Sequence, residues 1–453
     1  SGIGISMLIP IFSLVAGKES GQQIVTGLPD IIGGIFIFFH LAINLPLVLA
    51  LMVFLFITKA VIALVSSYID NKVSGQYMED MRLLSFKLTL EAKWPYLINQ
   101  KIGYLDRVIT DDATQAASVL SNISNTILRF TSLAVYSFIA FKISVNITLI
   151  ALGSGTLIFL LLKPVFYKVR KIYEFLSKAS KEISHYINES LIGIKIIKAF
   201  AIESAVLDKS RAHFDELKKS QIKAMFLGDL QGILFEPASF IFISLIFAFS
   251  YKSHDFSIAS FVVIIYLIQK IFSFIQAIQG KINNINGSLP YLESMLAYQE
   301  LAMKNGEKSS GKNKFKFNEF LKIIGLTFTY PETNKEVLSD INFSIKRGQM
   351  VGIIGPSGAG KTTLVDILLR LVNPDKGTIL CDDVDISSVN LGDWRKNVGY
   401  VSQDVFLLND AIGANISFFN ESITQDDIIA ASKLANIYNF IQGLPDEFDT
   451  PAG

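Results

Sequence analysis

Apolar residues in the first two thirds of the chain come in long blocks rather than in alternation. Leu45 to Val65, Thr126 to Ile143, Val145 to Leu162, Ile233 to Phe249 and Phe256 to Ile278 are each near the roughly 20 residues that carry a helix across a bilayer. A shorter block, Ile3 to Val15, has the length of half a span. It predicts the outer end of a first helix that begins before Ser1, which makes six helices in all. Ile31 to Ile43 is apolar as well, but Gly33, Gly34 and its short length predict an amphipathic or re-entrant piece in the first external loop.

Between the blocks the pattern changes to a helical period. From Tyr173 to Lys198 there are few Gly or Pro, and Ile172, Leu176, Ile183, Tyr186, Ile187, Leu191 and Ile194 recur at i, i+3 and i+4. The fourth span is therefore expected to continue out of the membrane as an amphipathic helix, and about 25 residues of this kind reach roughly 38 Å. Basic residues orient the arrangement. Lys72, Arg82, Lys87, Lys93, Lys101 and Arg107 separate the second and third spans, and a denser set from Lys163 to Lys223 separates the fourth and fifth. The opposite side carries Lys18, Lys142 and Lys252, so the two long segments are expected to face the cytoplasm.

Residues 304–319, KNGEKSSGKNKFKFNE, lose all apolar periodicity and read as a linker. Beyond them come short strand-like runs, Leu321 to Tyr330, Ile341 to Lys346, Met350 to Ile354, Thr378 to Cys381 and Val398 to Ser402, alternating with helix candidates. The expected fold is a multi-domain membrane protein. An all-α transmembrane domain with long cytoplasmic helix extensions, residues 1–303, is joined by the 304–319 linker to a soluble α/β domain, residues 320–453.

Composition agrees with this division and removes some function classes. The chain has 453 residues, of which 51% are hydrophobic and only 18% charged, a balance skewed towards lipid. A net charge of +1 argues against a nucleic-acid partner. Cys381 is the single cysteine, so no intrachain disulfide forms, and His40, His185, His213 and His254 lack metal-ligand spacing.

The chemistry sits in GPSGAGKTT, residues 355–363, which matches G-x-x-x-x-G-K-[ST] at Gly355, Gly360, Lys361 and Thr362. Glycines let the backbone curl so that N–H groups around Ser357, Gly358 and Gly360 point at phosphate oxygens. Lys361 reaches the β and γ phosphates and the Thr362 hydroxyl is placed to ligate Mg²⁺, while Thr363, next on the helix, either hydrogen-bonds an α phosphate or fills the first turn. A strand, QMVGII, is expected to enter the loop and a helix, TTLVDILLRL, to leave it with its N-terminus towards the phosphates. The cofactors expected are ATP and Mg²⁺; the guanine-specificity run N-K-x-D is absent from the sequence.

With FTYPETNKEVLSDINFSIKRGQ before the loop and NVGYVSQDVFLLNDAIGANI after it, the chain resembles ABC transporters of the exporter type, half-transporters in which six membrane helices precede one nucleotide-binding domain. The resemblance implies that Tyr330 stacks on adenine and that Gln403 approaches Mg²⁺ and the attacking water. It also implies that EAKWPYLINQ, residues 91–100, and SLIGIKIIKAFAIES, residues 190–204, form short transverse helices that dock on nucleotide-binding domains. A second half-transporter is the implied partner, with ATP bound between the two. The implied activity is ATP-driven export or flipping of a lipid, lipid-linked or other amphipathic substrate across the cytoplasmic (inner) membrane by alternating access. GIGISMLIPIFSLV near the start is similar to bacterial lipid and lipid-linked oligosaccharide flippases. Two other readings stay open: a transporter-like ATPase that regulates a membrane neighbour without moving a substrate, and a membrane-anchored kinase or GTPase using the same loop.

Two ionisable residues, Lys59 and Glu236, fall at roughly 22 Å depth by helical rise. The two are expected to pair, within or between subunits, or Lys59 to meet an anionic headgroup, or each to snorkel to the inner interface. The resemblance also implies that NIYNFIQGLPDEFDTPAG ends a few residues before the signature sequence, the acidic strand and the switch histidine, which makes residues 320–453 an incomplete α/β P-loop NTPase domain. The 453-residue chain by itself is expected to bind nucleotide poorly and to hydrolyse almost none. Purified chain should show no Mg²⁺-dependent ATP turnover; turnover that Lys361→Ala abolishes would contradict this.

Overall fold

In hydrocarbon a backbone must satisfy its own N–H and C=O groups, and a helix does so within one segment. A computed structural model describes residues 45–143, 145–250, 258–307, 311–330, 335–403 and 406–452, and the chain divides into two units, residues 1–308 and 309–453. The Ile3 to Val15 and Ile31 to Ile43 blocks lie outside the described residues.

The described part of the first unit is helical throughout. Helix α1 (Leu45–Leu90) is followed by the short α2 (Trp94–Ile98) and α3 (Ile102–Arg107), a π-helical turn at Val108–Asp112, then α4 (Ala113–Ile143) and α5 (Val145–Leu161). Next come α6 (Lys163–Ile192), α7 (Ile194–Ala199), α8 (Glu203–Ile233), α9 (Phe235–Ser250) and α10 (Ile258–Lys304). By length and composition, Leu49–Leu90 and Glu203–Ala248 are able to cross a membrane, and α5 with α6 passes the same test across a 41° bend. The bend falls where Pro164 enters the first turn of α6, at a position where its missing N–H costs nothing. The predicted amphipathic extension is α6, which ends at Ile192 and resumes after Gly193 as α7.

Two clusters hold these helices together. In one, Tyr136, Ala151, Phe235, Ile271 and Ile275 join α4, α5, α9 and α10. A Cβ at Gly155 would lie 2.4 Å from Ile275 Cδ1, so glycine is what lets α5 approach α10. In the other, Leu88, Val108, Ala116, Met295 and Tyr298 join α1, the π turn, α4 and α10.

Beside the second cluster lies a buried ion pair. Lys181 Nζ on α6 is 2.6 Å from Asp112 Oδ2 at the end of the π turn, with the side chains 9% and 1% exposed. The same ammonium donates to Ser294 Oγ on α10 and stands 5.1 Å from the centroid of the Tyr104 ring on α3. Burial pushes the Asp112 carboxyl above its ordinary value, opposed by the attraction of Lys181. Arg107 adds a second tie, at 2.8 Å from Asp111 and 3.1 Å from Ser184 Oγ. Three stretches of distant sequence, residues 102–112, α6 and α10, are fixed at one corner. Lys59 and Glu236 do not pair within the chain: both are exposed, and Lys59 Nζ lies 6.0 Å from the centroid of Phe56.

The second unit is built on an antiparallel sheet of β1 (Phe320–Tyr330), β2 (Lys335–Lys346), β3 (Lys376–Cys381) and β4 (Val384–Asp385), in the order β2-β1-β3-β4. Phe320 pairs with Lys346, Tyr330 with Lys335, and Leu321 with Cys381. Ile323, Leu326, Phe328 and Leu338 from the sheet pack against Leu364 and Ile367 of α11 (Lys361–Leu368) and Trp394 of α12 (Leu391–Lys396). Beyond these come β5 (Asp410–Ala411), α13 (Ile412–Ser417), α14 (Gln425–Leu434), α15 (Tyr438–Gln442) and β6 (Pro451–Ala452), with β5 antiparallel to β6. The polar stretch 304–319 is divided: Lys304 closes α10, whereas Phe315 packs edge-on against Trp394 and the N–H groups of Asn318, Glu319 and Phe320 donate to Asp382.

Two expected strands are not strands. Met350 to Ile354 and Val398 to Ser402 belong to neither sheet, and Met350, Ile354 and Val401 are more than nine-tenths exposed. A strand holds its geometry only through a hydrogen-bonded neighbour. Among the described residues none lies beside either segment, while β1, β2, β3 and β4 supply partners to one another.

The buried ion pair yields a stability prediction. Asp112→Ala should lower unfolding stability by about 3–5 kcal/mol, because it strands the Lys181 charge. Asp112→Leu with Lys181→Met should recover most of that loss. Thermal unfolding in detergent micelles checks both; a single variant no less stable than the double would remove the argument.

Candidate functional site

The phosphate-loop sequence folds around two backbone conformations that favour glycine. Gly358 has φ +78° and Gly360 has φ +84°, in the left-handed region. At Gly360 space is restricted as well, since a Cβ there would lie 2.8 Å from Leu338 Cδ2 and 3.1 Å from the Val337 carbonyl oxygen. Strand β2 thus presses on the loop at the point where it enters α11.

Gly360 caps α11 without a side-chain hydrogen bond, and Leu364 N–H is the first in the helix to find a backbone acceptor, Gly360 O at 2.9 Å. The N–H groups of Lys361, Thr362 and Thr363 make no backbone hydrogen bond among the described residues. Such unpaired donors, with the positive end of the helix dipole, attract an anion. Lys361 Nζ arches back over the loop and donates to Gly355 O at 2.9 Å and Pro356 O at 2.8 Å. An ammonium held by neutral carbonyls keeps its whole charge for a phosphate.

Gly355, Ser357 and Gly358 are exposed, as is Thr362, while Thr363 is buried against the sheet. Tyr330, at the end of β1, is brought to the same place: its hydroxyl lies 3.1 Å from Thr363 Oγ1, and its ring packs edge-on against Phe328 at 4.9 Å between centroids. The structure therefore gathers Tyr330 and residues 355–363 around one cradle. Gln403 makes no hydrogen bond to it among the described residues. The residue is exposed, follows the unpaired segment 398–402, and its side chain has no hydrogen-bond partner among the described residues.

The cradle fits a nucleotide phosphate chain with its metal: one lysine, a row of unpaired amides and an exposed hydroxyl at Thr362 for Mg²⁺. Sequence reasoning missed the Tyr330–Thr363 hydrogen bond and the contact of Val337 and Leu338 with Gly360. The only signal for either was proximity to the loop, since a 33-residue separation carries no local periodicity.

The two transverse segments also have defined structures. Helix α2 holds Trp94 at its start, with Pro95 in the first turn, and α7 lies within residues 190–204. Trp94, Ile98, Ile196 and Phe200 are exposed.

Comparison with known proteins places the whole arrangement. Residues 9–278 match the family described as ABC transporter transmembrane region, and residues 338–448 the family described as ABC transporter. An ATP-dependent lipid A-core flippase of Dechloromonas aromatica is 26% identical over 406 residues, covering 88% of this chain and 69% of that protein. The protein of the same name from Pseudomonas aeruginosa is 26% identical over 389 residues, covering 84% and 64%. The heterocyst differentiation ATP-binding protein HepA of a Nostoc species is 28% identical over 400 residues, covering 84% and 64%. The chain spans about two thirds of the length of these curated relatives. The solved structure of a bacterial Atm1-family ABC exporter with ATP bound superposes with a TM-score of 0.78 at 19% identity, covering 100% of this chain and 77% of that one, which shows a shared fold. With one family covering the membrane helices over more than half the chain and a second covering the phosphate loop and its flanks, the chain belongs to the ABC transporter family.

Proposed function

We propose that the chain acts as a half-transporter in ATP-driven export or flipping of a lipid, lipid-linked or other amphipathic substrate across the cytoplasmic membrane, as one of two subunits. The observation that carries this reading is the phosphate cradle, with Gly360 and Lys361 in place, in the same chain as helices able to cross a membrane. Relatives named as lipid A-core flippases support the lipid side of it. In this reading residues 1–303 form the membrane domain and residues 320–453 the part of the nucleotide-binding domain that faces the cytoplasm.

Each site residue then has a role. The amides around Ser357, Gly358 and Gly360 and the first turn of α11 hold phosphate oxygens, and Gly355 opens the curve of the loop. Lys361 exchanges its two carbonyl partners for the β and γ phosphates. Thr362 ligates Mg²⁺, Thr363 holds the α phosphate, and Tyr330 offers its ring to the adenine. Gln403 is assigned to Mg²⁺ and the attacking water once its segment gains a sheet neighbour. ATP, when bound, supplies the free energy of its terminal phosphoanhydride bond. Two states with different affinity for it are all that alternating access requires. The Lys181–Asp112 corner makes α1, α3, α4, α6 and α10 one rigid lever for that change.

Lys361→Ala should abolish nucleotide-stimulated lipid movement by the complete transporter in proteoliposomes and leave its membrane insertion unchanged. Near-normal ATP turnover in that variant would defeat the phosphate-loop assignment. Turnover without movement of any lipid would favour a regulatory ATPase instead.

Tyr330 separates stacking from hydrogen bonding. Tyr330→Phe keeps the ring and removes the hydroxyl that meets Thr363, so ATP affinity should fall by less than about threefold; Tyr330→Ala should lose about tenfold. Equal losses in titrations with a fluorescent ATP analogue would show that the ring is not part of the site.

A further inference from the structure

A cavity of about 450 Å³ opens among α4, α6, α8 and α10, and no residue that lines it is charged. Its walls are amides, hydroxyls and two tyrosines, with Leu176, Leu217 and Met225 between them. This differs from the surrounding helices, which carry ion pairs at Lys181–Asp112, Arg170–Glu293 and Lys218–Asp215.

The hydrogen bonds already made there fix what the walls can offer. Ser118 Oγ donates to Ser288 Oγ at 2.8 Å, and Ser288 Oγ to Gln115 Oε1 at 3.2 Å. Lys281 Nζ donates to Asn122 Oδ1 at 3.1 Å, and Lys281 itself is not part of the lining. Both amide oxygens being taken, Gln115 and Asn122 present their NH₂ groups. Gln221 and Asn284 are exposed and make no side-chain hydrogen bond among the described residues, so each offers a donor and an acceptor. Tyr173 packs on α10 at Gly287, where a Cβ would lie 3.1 Å from the ring, and its hydroxyl makes no hydrogen bond among the described residues. Tyr291 is half-buried on the same side.

Paired donors and acceptors without charge, beside aromatic rings, match a ring of hydroxyl groups with an apolar face. They do not match a phosphate, since no lining residue is charged, nor an acyl chain, which would leave the amides unpaired. The volume suits one or two sugar rings. We propose that this cavity binds a neutral glycosyl group, carried by a lipid as the headgroup of the transported substrate. The proposal rests on the lipid-export reading and narrows its substrate class.

The test is competitive binding to the complete transporter in detergent micelles, read by native mass spectrometry. The probes are monoglucosyldiacylglycerol, diacylglycerol and phosphatidylglycerol of the same acyl chains, and methyl β-D-glucoside. The glucosyl lipid should bind about tenfold more tightly than either other lipid, and the double variant Gln221→Leu, Asn284→Leu should erase that preference. Tyr291→Phe, which removes one hydroxyl and no packing, should weaken it about threefold. A preference that survives the double variant, or one for phosphatidylglycerol, would overturn the site even if that lipid is exported. Binding of methyl β-D-glucoside as tight as that of the glucosyl lipid would keep the glycosyl site and reject the lipid source. Selective glucosyl-lipid binding by a transporter that moves no lipid in proteoliposomes would keep the site and overturn the export reading.

Discussion

Every buried N–H and C=O in this chain needs a partner, and where the partner comes from decides what stands by itself. A helix closes its hydrogen bonds inside one segment. The described helices of the first unit form for that reason from local sequence, and packing only has to arrange them. A strand is satisfied from outside. The antiparallel sheet of the second unit exists because β1 lies between β2, its hairpin neighbour, and β3, which returns to it after α11. The segments on either side of that return, 350–354 and 398–402, have no such neighbour and leave apolar side chains such as Ile354 and Val401 in solvent.

The same constraint separates what was legible in the sequence from what was not. Apolar blocks gave α5 and α9 within a few residues, because length and periodicity are local, whereas α1, α4 and α10 extend well beyond their blocks into polar sequence and α6 begins before its periodic stretch. β1 and β3 were legible from their apolar runs. Met350 to Ile354 reads as strongly as β3 does and yet pairs with nothing described, since pairing is not written in the run itself. The loop motif placed Gly355, Gly360, Lys361 and Thr362 without a fold. Its surroundings, Tyr330 on Thr363 and Val337 and Leu338 on Gly360, required β1 and β2 to be folded first. Gln403 shows the converse: its role was inferred from its neighbours in sequence, and the strand meant to carry it is unpaired.

Glycine and lysine divide the work of the cradle between shape and charge. Gly360 cannot be replaced without moving Leu338 or the β2 backbone, so the turn into α11 is set by the sheet. Lys361 adds nothing to that shape; its bonds to Gly355 and Pro356 are to neutral carbonyls that any anion outcompetes. Shape is thus present before a ligand arrives, and the charge is held in reserve within the loop. Preorganisation of this kind keeps the ordering cost out of binding.

In the helical unit, charge and neutral polarity are likewise put to different uses. Lys181 and Asp112 are buried against each other, where opening the pair would expose each to a low-dielectric surround, and so they resist motion between α6 and the π turn. The amides of Gln221 and Asn284 and the tyrosine hydroxyls are uncharged and lie at an open cavity, where water satisfies them at little cost. A ligand that displaces this water has only to match its hydrogen bonds. One corner of the bundle can therefore stay rigid while a cavity in the same helices, built from α4, α6, α8 and α10, exchanges one set of neutral partners for another. A charged lining would have removed that freedom, because any ligand would then have had to replace a desolvated counter-ion as well as water.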